Sequence, residues 1–314
     1  MEFLHEEHFL TAMQQTVLPS LQACRTDKSI KSTDGTAIYT CHYRAKAPRG
    51  TAVLVHGFSE TAEKYHEFIY YLLNAGLSVL IYDQRGHGRS GRTAPVGIIH
   101  VDHFSDYIAD LEAVLAAYQD ELTAPLYLFG HSMGGGISMA FLEKHPDAFQ
   151  KAVLSAPMVD LLYRGPTRLA SRAACRFCML TGRAKKAVFI SKKDYENEPF
   201  EASSALSPAR FAYLREGRRA APNMSGGAPS YAWSAAALSV CRLLFRRGAP
   251  QRVKTPVLLF SAKREHLVSN EAQAKLVKAL PNATLIPVDS KHEILFSNDE
   301  VLHPVLAQIL DFYQ

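Results

Sequence analysis

Six short apolar runs constrain this chain more than any other feature: TAVLVHG (51–57), LSVLIYD (77–83), PLYLFG (125–130), KAVLSAP (151–157), TPVLLFSA (255–262) and ATLIPVD (283–289). Each is nearly continuous and bounded by turn residues, which suits a strand covered on both faces of a parallel sheet. Intervening segments such as SDYIADLEAVLAAYQDEL (105–122) have helical spacing. Strands alternating with helices predict a doubly wound α/β sheet, whose ligands bind beyond the C-terminal strand ends. A hairpin around Asp34-Gly35 is expected before the first run. The rhythm breaks between residues 158 and 254, too long a stretch for one crossover. It predicts an inserted, mainly helical cap, with core segments 1–157 and 255–314 on either side.

The 314 residues suit one α/β unit with such an insertion. No apolar stretch reaches the ~18 residues of a spanning helix. The start, MEFLHEEHFLTAMQQ, does not read as a signal peptide. Five scattered cysteines fit a reducing compartment such as the cytoplasm, and the lone Cys175-x-x-Cys178 pair is not expected to bind metal. Residues 161–250 carry 16 Lys and Arg against five acids, a local balance of +11 in a chain of net +5. Such a patch implies an anionic substrate or phospholipid surface. No nucleic-acid-binding signature accompanies it.

Chemistry is expected at the strand ends. Gly130-His131-Ser132-Met133-Gly134 fits G-x-S-x-G between a strand and a helix, a nucleophile elbow that lifts the Ser132 hydroxyl above the sheet. His56-Gly57 ends the first parallel strand. The N–H groups of Phe58 and Met133 are therefore expected to form an oxyanion hole. The base should come late, on a loop overhanging the elbow; of thirteen histidines, His292 directly follows the last strand. The glycine-rich loop DQRGHGRSG (83–91) lacks a P-loop ending and is expected to be held by an Asp83–Arg85 pair. His100, Asp102 and His103 read as a surface loop without metal.

HGFSE (56–60), YDQRGHGRS (82–90), GHSMGG (130–135), SAPM (155–158) and KHEI (291–294) together resemble the α/β-hydrolase fold, and within it the monoacylglycerol lipases and bacterial lysophospholipases. The resemblance implies that Ser132 attacks an acyl carbonyl, His292 serves as base and no cofactor is needed. It also implies an acid after the strand PVLLFSA, where Glu265 is the only carboxylate, although such families usually have aspartate there. Asp160 and Asp289 remain rivals. The implied reaction is hydrolysis of a single-chain lipid ester through an acyl-enzyme. A broad small-molecule carboxylesterase and a non-catalytic binding module are the alternatives.

In YRGPTRLASRAACRFCMLTG (163–182), Arg164, Arg168, Arg172 and Arg176 recur every four residues. Pro166 is placed in the first turn and Gly182 at the stop, while Leu169, Ala173, Phe177 and Leu180 take another face. This amphipathic pattern has two readings. The arginines could meet an anionic bilayer or headgroup, or the apolar side could lie over the acyl pocket while the arginines face water. Met158, Met179 and Trp233 could line an acyl tunnel or simply fill the core.

Overall fold

The computed structural model describes residues 2–162, 167–188, 198–221, 226–246 and 248–314. Its strands are β1 (Arg25–Lys31), β2 (Ala37–Tyr43), β3 (Thr51–Val55), β4 (Ser78–Tyr82), β5 (Ile98–Ile99), β6 (Leu126–His131), β7 (Lys151–Ser155), β8 (Ala228–Pro229), β9 (Val257–Ala262) and β10 (Ala283–Val288). Eight of them form one sheet in the order β1-β2-β4-β3-β6-β7-β9-β10, antiparallel at β1/β2 and β2/β4 and parallel thereafter. All six apolar runs are strands, and the hairpin turns at Gly35 with φ +84°.

The continuity of the five inner runs follows from the layers, whereas β10, at the sheet edge, is only partly covered. Val53, Val55, Leu80, Leu128, Leu154 and Leu259 face one apolar layer, which includes Leu111 and Ile137 from the helices Ser105–Ala117 and Met133–Lys144. Leu54, Ile81, Phe129, Val153, Leu258 and Phe260 face the other, against Ile69 and Leu306 from the helices His66–Asn74 and Asp299–Phe312. Successive residues point to opposite faces, so covering both faces requires apolar residues at every position. The register sets Val55 opposite Gly130 and His131 opposite Ser155. The loops after β3, β6 and β7 therefore emerge side by side.

Between β7 and β9 the described residues form the helices Arg168–Cys178, Pro208–Ala220, Tyr231–Ala237 and Val240–Leu244, with the short β8 paired to β5. His100 belongs to this tether: it is buried, and its Nδ1 lies 3.0 Å from Ser230 Oγ, so the expectation of a surface loop fails there. The Asp83–Arg85 pair does not form either. Asp83 accepts the backbone N–H groups of Ala62 and Arg89, both at 2.8 Å. Arg85 instead forks onto buried Asp110 at 2.6 Å and reaches Asp34 at 2.8 Å. Asp83 is short and satisfied by nearby backbone; the longer arginine spans to a helix that the sequence places elsewhere.

The arginine-rich helix starts later than expected, capped by Thr167, whose side chain accepts the Ala170 N–H. Arg164 and Pro166 lie outside the described residues. Gly182, at φ +74°, marks the end of the helical run. The helix also faces opposite to the second reading above. Leu169, Phe177 and Leu180 are 75%, 65% and 87% exposed, whereas Arg168 and Arg172 are half-buried. Arg168 is engaged by Asp160 at 2.5 Å and by the Leu161 carbonyl at 3.0 Å. Among the described residues, the apolar stripe therefore turns outward rather than packing over an acyl pocket. Not all the basic charge of this region is on the surface, since Arg210 is buried and forks onto Glu67 and Asp299 at 2.9 Å. Met158 joins the core, and Trp233 lies against Phe58 with ring centroids 4.2 Å apart.

Candidate active site

β6 runs into Ser132, which adopts φ +51° and ψ −118° at the start of the helix Met133–Lys144. A non-glycine residue there is strained, as expected at a nucleophile elbow. The flanking glycines make the turn possible. A Cβ on Gly130 would meet Ser138 Oγ at 2.4 Å, and one on Gly134 would meet the Val55 carbonyl oxygen at 2.0 Å.

Ser132, His292 and Glu265 come together. The Ser132 hydroxyl donates to His292 Nε2 at 2.8 Å, and His292 Nδ1–H donates to Glu265 Oε2 at 2.7 Å. The His292 and Glu265 side chains are 3% and 2% exposed, whereas Ser132 is only half-buried and open to an incoming group. The extra methylene of glutamate has a visible use. Glu265 folds back so that Oε1 accepts the His266 and Leu267 N–H groups, both at 2.8 Å, while Oε2 is left for the imidazole. Burial alone would raise the Glu265 pKa. The His292 hydrogen bond and charge, with the Leu267 and His266 N–H groups, outweigh it and hold the carboxyl below its ordinary value.

The rival acids are occupied elsewhere. Asp160 holds Arg168, and Asp289 forms an exposed pair with Arg264 at 2.8 Å. The turn after β3 lies against the elbow, since a Cβ on Gly57 would come within 3.2 Å of Ser132 Cβ. Phe58 follows on that turn. Met133 is the first residue of its helix, so its N–H has no intrahelical acceptor and is free to face a developing oxyanion. Arg172 and Arg176 stand on the cap helix, and Arg172 is crowded by Arg242, Arg176 and Arg168: burial and these like charges hold it below its usual value. This geometry suits acyl transfer: a hydroxyl activated by an oriented imidazole, at the head of a helix and against the turn after β3.

Residue-by-residue reading missed a second buried group beneath this one, formed by Glu60, Lys64, Tyr65, His131 and Glu293. The available signal was position alone: Glu60 and Lys64 are four apart after His56-Gly57, and His131 and Glu293 adjoin Ser132 and His292. Two His–carboxylate clusters occur among the described residues, Glu60/His131/Glu293 and His5/Asp299/His303. Each already has an internal cation on its carboxylates, Lys64 in the first and Arg210 in the second.

Lysophospholipase L2 of Escherichia coli K12 is 30% identical over 306 residues, covering 92% of this chain and 87% of its own length. A monoacylglycerol lipase of Mycolicibacterium smegmatis is 40% identical over 114 residues, 36% of this chain and 39% of that protein. The crystal structure of Paleococcus ferrophilus monoacylglycerol lipase superposes with a TM-score of 0.69 at 21% identity, covering 87% of this chain and 97% of that one, and so shares its fold. The family model described as Hydrolase_4, serine aminopeptidase S33, matches residues 46–299. By that match, and by its likeness along most of its length to a lysophospholipase, this chain belongs to the Hydrolase_4 (serine aminopeptidase S33) family of α/β-hydrolases.

Proposed function

We propose that this protein hydrolyses the carboxylic ester of a single-chain lipid, a lysophospholipid in preference to a monoacylglycerol, through an acyl-enzyme on Ser132. The observation that carries this reading is the unbroken Ser132–His292–Glu265 relay at the elbow. Ser132 Oγ attacks the acyl carbonyl carbon as its proton passes to His292 Nε2. Glu265 accepts the Nδ1–H and stabilises the imidazolium. The Phe58 and Met133 N–H groups receive the oxyanion. Collapse breaks the ester C–O bond, and His292 gives its proton to the departing alcohol. A water, deprotonated by the same imidazole, then releases the fatty acid and restores Ser132. Residues 158–254 act as the cap over this site.

The headgroup preference is supported by the name borne by the full-length relative and by the cationic cap. A panel matched in acyl chain should give a higher kcat/KM for anionic lysophospholipid than for monoacylglycerol, and the lowest value for a short-chain ester. Equal rates on charged and neutral lipids would remove the headgroup preference. Preference for short esters would favour the small-molecule carboxylesterase.

No helix among the described residues is long and apolar enough to cross a membrane. We infer peripheral contact with an anionic bilayer through the cap helix, where exposed Leu169, Phe177 and Leu180 share the outer side with exposed Arg176. Apolar side chains rimmed by cations suit the headgroup–acyl boundary. The five free thiols fit a cytoplasmic location. A Phe177→Asp, Leu180→Asp protein should lose most of its sedimentation with phosphatidylglycerol vesicles, roughly tenfold or more, given that each buried apolar side chain contributes about 1.5–3 kcal/mol. Its turnover of a water-soluble ester should be unchanged; retained vesicle binding would place the contact elsewhere.

A further inference from the structure

The second buried group joins the turn after β3, the elbow and the histidine loop without entering the triad's chemistry. Lys64 Nζ, on a side chain 3% exposed, lies 2.6 Å from Glu60 Oε1 and 2.5 Å from Glu293 Oε2. Glu60 Oε2 accepts the Gly57 N–H at 2.8 Å and the Tyr65 hydroxyl at 2.7 Å, so this carboxylate pins the turn that carries Phe58. Glu293 directly follows His292, and His131 directly precedes Ser132. The His131 and His292 rings lie 5.1 Å apart.

His131 decides the charge of this group. Its Nδ1 lies 3.1 Å from the Ser155 carbonyl, which can only accept, so Nδ1 carries a hydrogen. Its Nε2 then faces Glu60 Oε1 at 3.4 Å and Glu293 Oε2 at 3.3 Å. A neutral ring would aim a lone pair at two carboxylates in a buried site, a repulsive arrangement. A doubly protonated ring points an N–H between them, and two anions then balance two cations.

We propose, building on the triad reading above, that Glu60, Lys64, His131 and Glu293 are positioning residues, with His131 an imidazolium, and that their mutual attraction holds the oxyanion turn, the elbow and the histidine loop in register. Each loop leaves a different strand, so sheet pairing alone does not fix their tips. Charges around one buried centre do. The groups facing the His131 ring are Glu60, Glu293, Lys64 and His292, with His56 behind Glu60. Burial pulls the His131 pKa down, but Glu60 and Glu293 outweigh it and leave it raised. The cluster therefore persists to higher pH than an ordinary histidine would allow and comes apart as pH rises through the raised His131 value.

The decisive variant is Glu293→Gln, which keeps the side-chain shape and removes one charge. On a water-soluble ester its kcat should fall roughly 10- to 100-fold, the loss expected from a sub-ångström to ångström misplacement of reacting groups. The alkaline limb of kcat/KM should move down by about one pH unit or more, because one of the two carboxylates holding the imidazolium is gone. Lys64→Arg, which preserves the cation, should keep most of the activity. An unchanged profile, or a uniform loss at all pH values, would mean only a structural role and overturn the proposal. A separate readout needs no variant: the His131 imidazole, assigned by NMR through its backbone in the wild-type protein, should stay doubly protonated above the ordinary histidine pKa of about 6.5. A His131 ring that titrates at or below about 6.5 would refute the cluster whether or not Glu293→Gln folds. Organophosphonate labelling of Ser132 tests the hydrolase reading independently of either result.

Discussion

Ser132→Ala is expected to lower kcat on a single-chain ester by about 10⁶-fold, the scale on which removal of a triad nucleophile acts. The reason is local. Ser132 Oγ is bonded to His292 Nε2, and no other side chain among the described residues stands as a hydroxyl both at that distance and at the head of a helix. Without it the imidazole has no hydroxyl to deprotonate. The proposed oxyanion donors are untouched by this change, so residual activity above the uncatalysed rate should survive. Stopped assays on purified protein, with a melting curve to show a retained fold, measure the effect. Covalent labelling by an organophosphonate should vanish in the same variant. If the alanine protein keeps near-wild-type turnover or still labels, the acyl-enzyme sits on another residue.

Glu265→Gln should cost about 10⁴-fold in kcat, with the fold intact. A glutamine can present an N–H to His292 Nδ1, which favours the tautomer with its hydrogen on Nε2, pointing at Ser132. That tautomer cannot accept the serine proton. Glu265→Asp should fall between, because a carboxylate one methylene shorter must give up either His292 or the His266 and Leu267 N–H groups. Asp160→Asn is the matched control: Asp160 is committed to Arg168, so this variant should remain within a few-fold of wild type on a soluble ester. A near-normal Glu265→Gln together with a dead Asp160→Asn would reverse the assignment of the acid.

Much of the site was legible before any fold was known. A serine between glycines, just after an apolar run and just before a helical pattern, has few geometries available, since the turn admits no side chain at Gly130 or Gly134. His292 could be chosen from thirteen histidines because chain order in this architecture puts one loop above the elbow. Glu265 was harder, since three carboxylates lie near strand ends and only their partners separate them. Asp160 and Asp289 are withdrawn by Arg168 and Arg264, and neither pairing is written in local spacing.

The errors have a common cause. Local spacing pairs Arg85 with its near neighbour Asp83, yet it reaches Asp110 and Asp34, 25 and 51 residues away. Its polar neighbours suggest a surface loop for His100, yet it meets Ser230 across 130 residues. Amphipathic spacing in the cap helix separates two faces, but spacing does not say which of them turns inward. Here the arginines Arg168 and Arg172 turn toward the protein and the apolar residues Leu169 and Phe177 turn out.

The sequence by itself determined the strands, the elbow and the identity of the late histidine, because backbone pattern and turn sterics act over a few residues and leave periodic traces. Only the tertiary structure decided which acid serves His292, which way the cap helix faces, and that Glu60, Lys64, His131 and Glu293 share one buried centre. Those outcomes depend on which loops the sheet order β3-β6-β7-β9-β10 brings together. Once there, buried charges select partners by distance and dielectric, with no regard for their separation along the chain.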